Sequence, residues 1–376
     1  MSHKTIRELA ISFKNIYSER GFSDALKAAV KYTTPKPYDT YVKMCETEYT
    51  KYRSVPLPIR TRIKLLRDGF QSNLYYLYQF HSTNTSERYV STFDRLSYTG
   101  KINEDPDVLD HKDVFYRRML ELGYQEHVPK QHGKIENGRY YGTTDGDILD
   151  TLEQNKRIVI KKITGGRGND VYICESRNGD VSINGSTISA SAFEASCREF
   201  ESHLVQEYVS QAAYLDTMYP SSANTARLLT MQPENEEPFV AGAAQRIGSN
   251  TSGALDNFAQ GGLSAEIDVE TGTLGKAARP TTIGIPQWYT NHPDTGTRIQ
   301  GTEIPGWQEI LDRVLTITDD MDGVRYVGWD VLVTSPGEFV LLEGNNRSDV
   351  NVHQVHGPLL NDERVRTFYR EHGLSV

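Results

Sequence analysis

Apolar residues recur at three-and-four spacing over the first part of the chain and at alternate or consecutive positions over much of the rest. SDALKAAVKYT (23–33) and TRIKLLRDGFQSNLYYLYQFH (61–81) carry the helical period with few turn residues inside, which predicts helices. Pro35, Pro37, Pro56 and Pro58 punctuate this part, and STNTSERY (82–89) reads as a loop. LDHKDVFYRRMLELGY (109–124) is another amphipathic helix, with Asp110 as its N-cap and Gly123 at its end. VPKQHG then opens an extended segment.

From about residue 150 the period shortens. RIVIKKI, VYICES, VSINGS and HLVQEYV predict strands, and AFEASCREFES a helix between the last two. NTARLLTM and FVAGAAQRIGS predict an antiparallel pair, and GLSAEIDVETGTLGKAA a hairpin. GWQEILDRVLTITDDM and DERVRTFYREHG are amphipathic helices on either side of a second hairpin, GWDVLVTSPGEFVLLEGNN (328–346). No internal repeat is present. The pattern predicts an α+β protein: a mostly helical N-terminal region before a body of largely antiparallel sheets.

The second hairpin carries chemistry. Pro336-Gly337 suits the centre of a type II turn, and pairing Ser335 with Glu338 makes opposed residue numbers sum to 673. Asp330 then faces Glu343, and Gly328 faces Asn345. Two carboxylates about 5 Å apart repel by roughly 3 kcal/mol at an effective dielectric near 20. A divalent cation would turn that penalty into a site, since two acids and an amide oxygen are hard ligands suited to Mg²⁺ or Mn²⁺. The competing reading is a pair of strand-end acids satisfied by backbone amides, Lys or Arg.

A metal held by two acids usually shares a phosphorylated substrate. The candidate phosphate grip is IVIKKITGGRGNDVYI, where Gly165, Gly166 and Gly168 let backbone N–H groups approach phosphate oxygens and Lys161 precedes them. It is neither a Walker A loop nor GxGxxG, and a Gly-rich hairpin between antiparallel strands is the structural alternative. Gln206 and Glu207 interrupt the strand LVQEYV and could offer polar groups to a purine edge. Arg227 and Arg246 sit in strand-like runs where an unpaired cation is costly, so each needs an anionic partner, an internal acid or a phosphate. His292 reads either as a base or as a loop histidine with a structural hydrogen bond.

Bulk properties narrow the class. Hydrophobic residues make up 37% and charged residues 24%, as in ordinary globular proteins. The net charge of -9 argues against a general nucleic-acid or anionic-membrane binder. The N-terminus is too polar for a signal peptide, and no apolar run approaches the ~18 residues of a membrane span. Cys45, Cys174 and Cys197 are widely spaced and lack a CxxC pair, which fits a reducing cytoplasm without a metal or disulfide framework.

Taken in order, these pieces resemble the ATP-grasp superfamily: a helix-start lysine (Lys112), a strand lysine before a Gly-rich loop, the hinge VQEYV, two arginine strands, then Asp330 and Glu343-Gly-Asn345. More narrowly, LLRDGFQSNLYYLYQF, MYPSSANTARLLTM, DNFAQGGLSAEID and HPDTGTRIQGTEIPGW look like the sugar-transfer-associated branch. The resemblance covers about residues 60 to 375. It implies an ATP-grasp fold, with residues 1–108 a helical region, 109–210 the smaller nucleotide subdomain and 211–376 the larger one. Lys112 and Lys161 would contact ATP phosphates under the Gly165–Gly168 loop. Glu207 and Val209 would meet adenine through their backbone, beside Gln206. Asp330, Glu343 and Asn345 would hold one or two Mg²⁺ ions, and Arg227 and Arg246 would neutralise the γ-phosphate or the reacting carboxylate.

Two departures from the branch stand out. Lys162 replaces a usual proline, leaving open which lysine points inward. Gly328 stands where some ligases of the superfamily carry an oxyanion-stabilising arginine, which moves that role to Arg246 or Arg347.

The resemblance implies a cytoplasmic carboxylate–amine (or carboxylate–thiol) ligase that forms an acyl phosphate from ATP and a small acid, then an amide. The acid would be a sugar acid or amino acid for a surface polysaccharide or a specialised metabolite. No protein nucleophile is needed, and no GxSxG elbow or Cys/His signature occurs. A kinase using the same site and a scaffold that only binds a partner are the other readings. The sequence is silent on the substrates and on the oligomeric state.

Overall fold

The structure is a computed structural model that describes residues 38–82, 85–165, 170–177, 180–253, 255–281, 284–374 and 376. It divides into two compact units. The first comprises residues up to Gly100 together with 280–286 and 357–376. Its described part is helical, and Tyr41, Met44, Cys45 and Phe93 form a small core. The helix expected over 23–33 lies outside the described residues. The one expected over 61–81 is broken into Ile59–Arg67 and Ser72–Leu77. Gly69 makes the break with φ +88, and Ser91 Oγ packs where a Cβ would stand.

The second unit holds residues 101–279 and 287–356 and contains two seven-stranded sheets. Helix Lys112–Glu121 starts after a short helix Asp107–Asp110, so Asp110 ends one helix instead of capping the next.

The smaller-lobe sheet is built from β1 (Gln131–Glu136), β2 (Arg139–Gly142), β3 (Arg157–Lys162), β4 (Val171–Arg177), β5 (Asp180–Ile183), β6 (Ser186–Ile188) and β7 (Ser202–Glu207), in the order β2-β1-β7-β3-β4-β5-β6. VSINGS is therefore a turn between two strands, with Asn184 (φ 49) and Gly185 (φ 79) as the tight Asn-Gly connection. Helices Ile148–Asn155 and Ala190–Arg198 cover one face through Leu152, Phe193, Ile158 and Ile160. Strand alternation turns Val159 and Lys161 to the other face, and Gln206 opposite Val159 joins them.

The larger sheet comprises β8 (Ala226–Met231), β9 (Phe239–Ile247), β10 (Leu263–Ile267), β11 (Leu274–Pro280), β12 (Pro286–Tyr289), β13 (Tyr326–Ser335) and β14 (Glu338–Asn345), in the order β12-β11-β10-β9-β8-β13-β14. Val327, Trp329, Val331 and Val333 of β13 face a core shared with helix Trp307–Asp319, where Trp329 Nε1 donates to Thr230 Oγ1 (3.0 Å) and Thr318 Oγ1 (3.1 Å). Asp330, Arg227 and Arg246 consequently lie on the opposite face.

The hairpin keeps Asp330 opposite Glu343, Gly328 opposite Asn345 and Ser335 opposite Glu338. Between them the uniform register fails. Val331 faces Leu341 and Val333 faces Phe339, so Thr334 and Leu342 are unpaired bulge residues. The physical reason is burial. An uninterrupted 673 register would turn Phe339 and Leu341 away from the core they fill with Val331 and Val333. One bulge brings them in, and the second returns Glu343 to the face of Asp330.

Candidate active site

An ion cluster sits at the open end of this hairpin. Asp330 Oδ1 accepts from Arg227 Nε (2.6 Å), directly across on β8, and from Arg246 Nη1 (3.0 Å) on β9. Burial alone would raise the Asp330 carboxyl, but Arg227 and Arg246 hold it down at about 2. Glu343 is within hydrogen-bonding reach of the same carboxyl. Arg246 Nη2 pairs with Asp256, whose other oxygen accepts from Thr225 N (2.9 Å) and Thr225 Oγ1 (2.6 Å). Burial lowers the Arg246 guanidinium and the two acids more than offset it.

A helix start and the smaller sheet each add a cation. Lys112 Nζ lies 3.5 Å from Glu343 and donates to the Gly165 carbonyl (2.8 Å). Lys161 Nζ donates to the carbonyl of Leu342 (3.1 Å), the bulge residue of β14. Burial pushes the Lys161 ammonium down to about 8, with Glu343 opposing the fall and Lys112 adding to it. Lys162, one residue on, shares the side of Ile158 and Ile160. Gly165 has φ +104 and open space around it, whereas Gly166 and Gly168 lie outside the described residues.

At the hinge, the Glu207 backbone N–H already donates to Lys130 O (2.9 Å) and its carboxylate accepts from Lys130 N (2.7 Å), so that N–H is not available to a base edge. Val209 is half-buried and its N–H and C=O make no hydrogen bond among the described residues. Asn345 Nδ2 donates to Gly328 O (3.0 Å), and its side-chain oxygen has no hydrogen bond among the described residues.

The structure thus brings Lys112, Lys161, Arg227, Arg246, Asp330 and Glu343 into one cluster. The Lys and Arg partners that competed with a metal in the sequence reading are present on both acids. Arg347 is different. It is exposed in the turn after β14 and makes no ion pair among the described residues. Gly328 leaves no room for a side chain: a Cβ there would meet Ser348 Oγ at 2.1 Å and Arg227 Cδ at 3.4 Å. Ser348 fills the space that a side chain at 328 would need, with Arg227 Cδ at its edge.

Two residues take roles that the sequence alone did not give them. Asp256, at the head of the DNFAQGG segment, pairs with Arg246 and orients it. Asn346 is a pin: its Oδ1 accepts from Asn103 Nδ2 (2.8 Å), while Asn103 Oδ1 accepts from Arg325 N (2.8 Å) and Tyr326 N (2.9 Å). His292 is buried, with Nε2 on Gly248 O (2.8 Å) and Nδ1 accepting from Asp294 N (3.2 Å), the structural alternative. Among the described residues no three His, Cys, Asp or Glu form a metal-holding group, and no helix is long and apolar enough to cross a membrane.

The chain is similar to the ADP complex of an N5-carboxyaminoimidazole ribonucleotide synthetase (11% identity, 65% of this chain and 47% of that one, TM-score 0.37). It is similar to the same synthetase from Thermotoga maritima (11%, 64% and 42%, 0.35), and to D-alanine–D-alanine ligase from Bacillus anthracis (10%, 71% and 71%, 0.36). It spans about half the length or less of the first two. None of the curated proteins matches it. The sugar-transfer associated ATP-grasp family matches residues 94–367, well over half of the chain, and the protein belongs to that family.

Proposed function

We propose that this protein is an ATP-dependent carboxylate–amine ligase acting on a small acid, a sugar acid or an amino acid. The observation that carries the reading is the cluster itself: four cations, three from the two sheets and Lys112 from a helix start, gathered around the Asp330–Glu343 carboxyl pair. Four positive groups against Asp330, Glu343 and Asp256 leave an excess of positive charge, which favours a polyphosphate with its metal.

In this reading Lys112, at a helix start, and Lys161, on the smaller sheet, hold the phosphates. Asp330, Glu343 and Asn345 would hold Mg²⁺, with Mn²⁺ an equal chemical fit. The donor set suits such an ion: both arginines bind a single oxygen of Asp330, and the Asn345 oxygen is a further hard donor. The metal would supply charge neutralisation at the phosphoryl oxygens. Arg246, held by Asp256, and Arg227, held by Asp330, neutralise the acid as it becomes an acyl phosphate, and an amine then displaces phosphate. Catalysis comes from positioning and fixed charge.

The test is phosphate release by purified protein with ATP, Mg²⁺ and a panel of paired acids and amines. A ligase releases ADP and free phosphate only with both co-substrates and yields an amide. Phosphate retained on a single acceptor would make the protein a kinase instead.

A further inference from the structure

The chain after the carboxylate hairpin folds back over the face that carries Asp330. Ser264 on β10 lies opposite Arg246. Its hydroxyl donates to the Val352 carbonyl (2.6 Å) and lies 3.1 Å from His356 Nε2. These contacts fix the short helix Asn351–Gln354 beside Arg246. On that helix His353 is 5% exposed, and neither ring nitrogen has a hydrogen-bond partner among the described residues. Arg246 Nε is buried and unpartnered as well.

Buried polar groups in folded proteins nearly always find partners, and each one left without costs about 1–3 kcal/mol. Two of these orphan nitrogens, Arg246 Nε and the His353 nitrogen that carries the proton, are donors, and beside the carboxylate cluster they point to a bound group with oxygen acceptors. Burial first, then the charges of Arg227 and His356, push the His353 ring down to about 3, so it stays neutral with one N–H donor and one lone pair. A neutral donor suits this place, since a third full charge beside Arg227 and Arg246 would repel them.

We propose that His353 is a substrate contact that donates its ring N–H, alongside Arg246 Nε, to the oxygens of the phosphoryl group passed from ATP to the acid. The inference rests on the ligase reading in taking this end of the cluster as the place where acid and phosphate meet.

Inorganic phosphate is the probe, titrated calorimetrically into the full chain saturated with ADP and Mg²⁺. His353→Leu should weaken phosphate binding by about tenfold or more, the loss of a hydrogen bond to a charged group. His353→Gln, which keeps an N–H donor, should recover part of it, and ADP affinity should stay within about twofold in both. In the wild type, the histidine ¹⁵N resonance that disappears in His353→Gln should move when phosphate is added, a readout that survives if the leucine variant does not fold. Unchanged phosphate affinity with an unmoved resonance overturns the contact alone. Failure of the wild type to bind ADP overturns the ligase reading, and this contact with it.

Discussion

The two sheets of the second unit treat buried charge in opposite ways. On the larger sheet Asp330, Arg227, Arg246 and Asp256 satisfy one another across three neighbouring strands and a loop, with every acid in contact with a cation. On the smaller sheet Lys161 is buried with one backbone carbonyl as its only hydrogen-bond partner among the described residues, and burial is the main cause that pushes its ammonium down to about 8. The charges of the first arrangement are paired before anything binds, and Arg246 Nε is left as a donor without a partner among the described residues. The second holds a cation whose natural partner is an anion brought from outside. A rigid, self-neutralised wall thus faces a wall poised for a polyanion.

The strongest way to break this contrast is Asp330→Asn. It leaves Arg227 and Arg246 buried without their shared counter-charge, and about 3–5 kcal/mol of unfolding free energy should be lost. Denaturant unfolding measures it, and a loss below about 1 kcal/mol would mean the wall is not built on this pair. Lys161→Met should behave the other way. ADP affinity should fall by roughly tenfold or more in calorimetry, while the thermal midpoint holds or rises because a desolvated ammonium has gone. A midpoint several degrees lower would place Lys161 in the structural network after all.

The titration of Lys161 sharpens the same comparison. Its folded value, about 8, lies below the ordinary 10.5. Between those values the unfolded chain holds a proton that the folded chain has released, so this group's contribution to stability rises with pH through that window. Nucleotide binding should reverse the release. We expect proton uptake when ADP binds between about pH 8 and 9, detected calorimetrically in two buffers of different ionisation heat, and ADP affinity that falls above about pH 8. Lys161→Met should abolish the uptake. The smallest effect belongs to Asn346→Ala, which removes the bond to Asn103. About 1–2 kcal/mol of stability should go, with ADP affinity unchanged within error.

Much of this was readable along the chain. Period-two alternation and the Pro-Gly turn are local properties, and spacing pairs Asp330 with Glu343, a pairing that the structure keeps because two bulges cancel. The interior of the same hairpin could not be deduced this way. Thr334 and Leu342 bulge because Phe339 and Leu341 must share a core with Val331, Val333 and helix Trp307–Asp319, and no local signal carries that demand. The break at Gly69 is similar, since helical periodicity runs straight through it and only the Ser91 contact shows why the chain turns there.

The site divides along the same line. Sequence determined which residue types recur in which order, and through that order the α+β architecture, the family and most of the charged residues of the cluster. Tertiary structure alone decided who neutralises whom. Arg227 meets Asp330 because their strands lie side by side about 4.8 Å apart, Arg246 meets Asp256 from a loop, and Lys161 rather than Lys162 reaches the Leu342 carbonyl on the other sheet. The same folding leaves His353 buried with two unpartnered nitrogens, a fact no spacing could reveal. Periodicity is written residue by residue, whereas electrostatic partnership depends on which faces burial forces together.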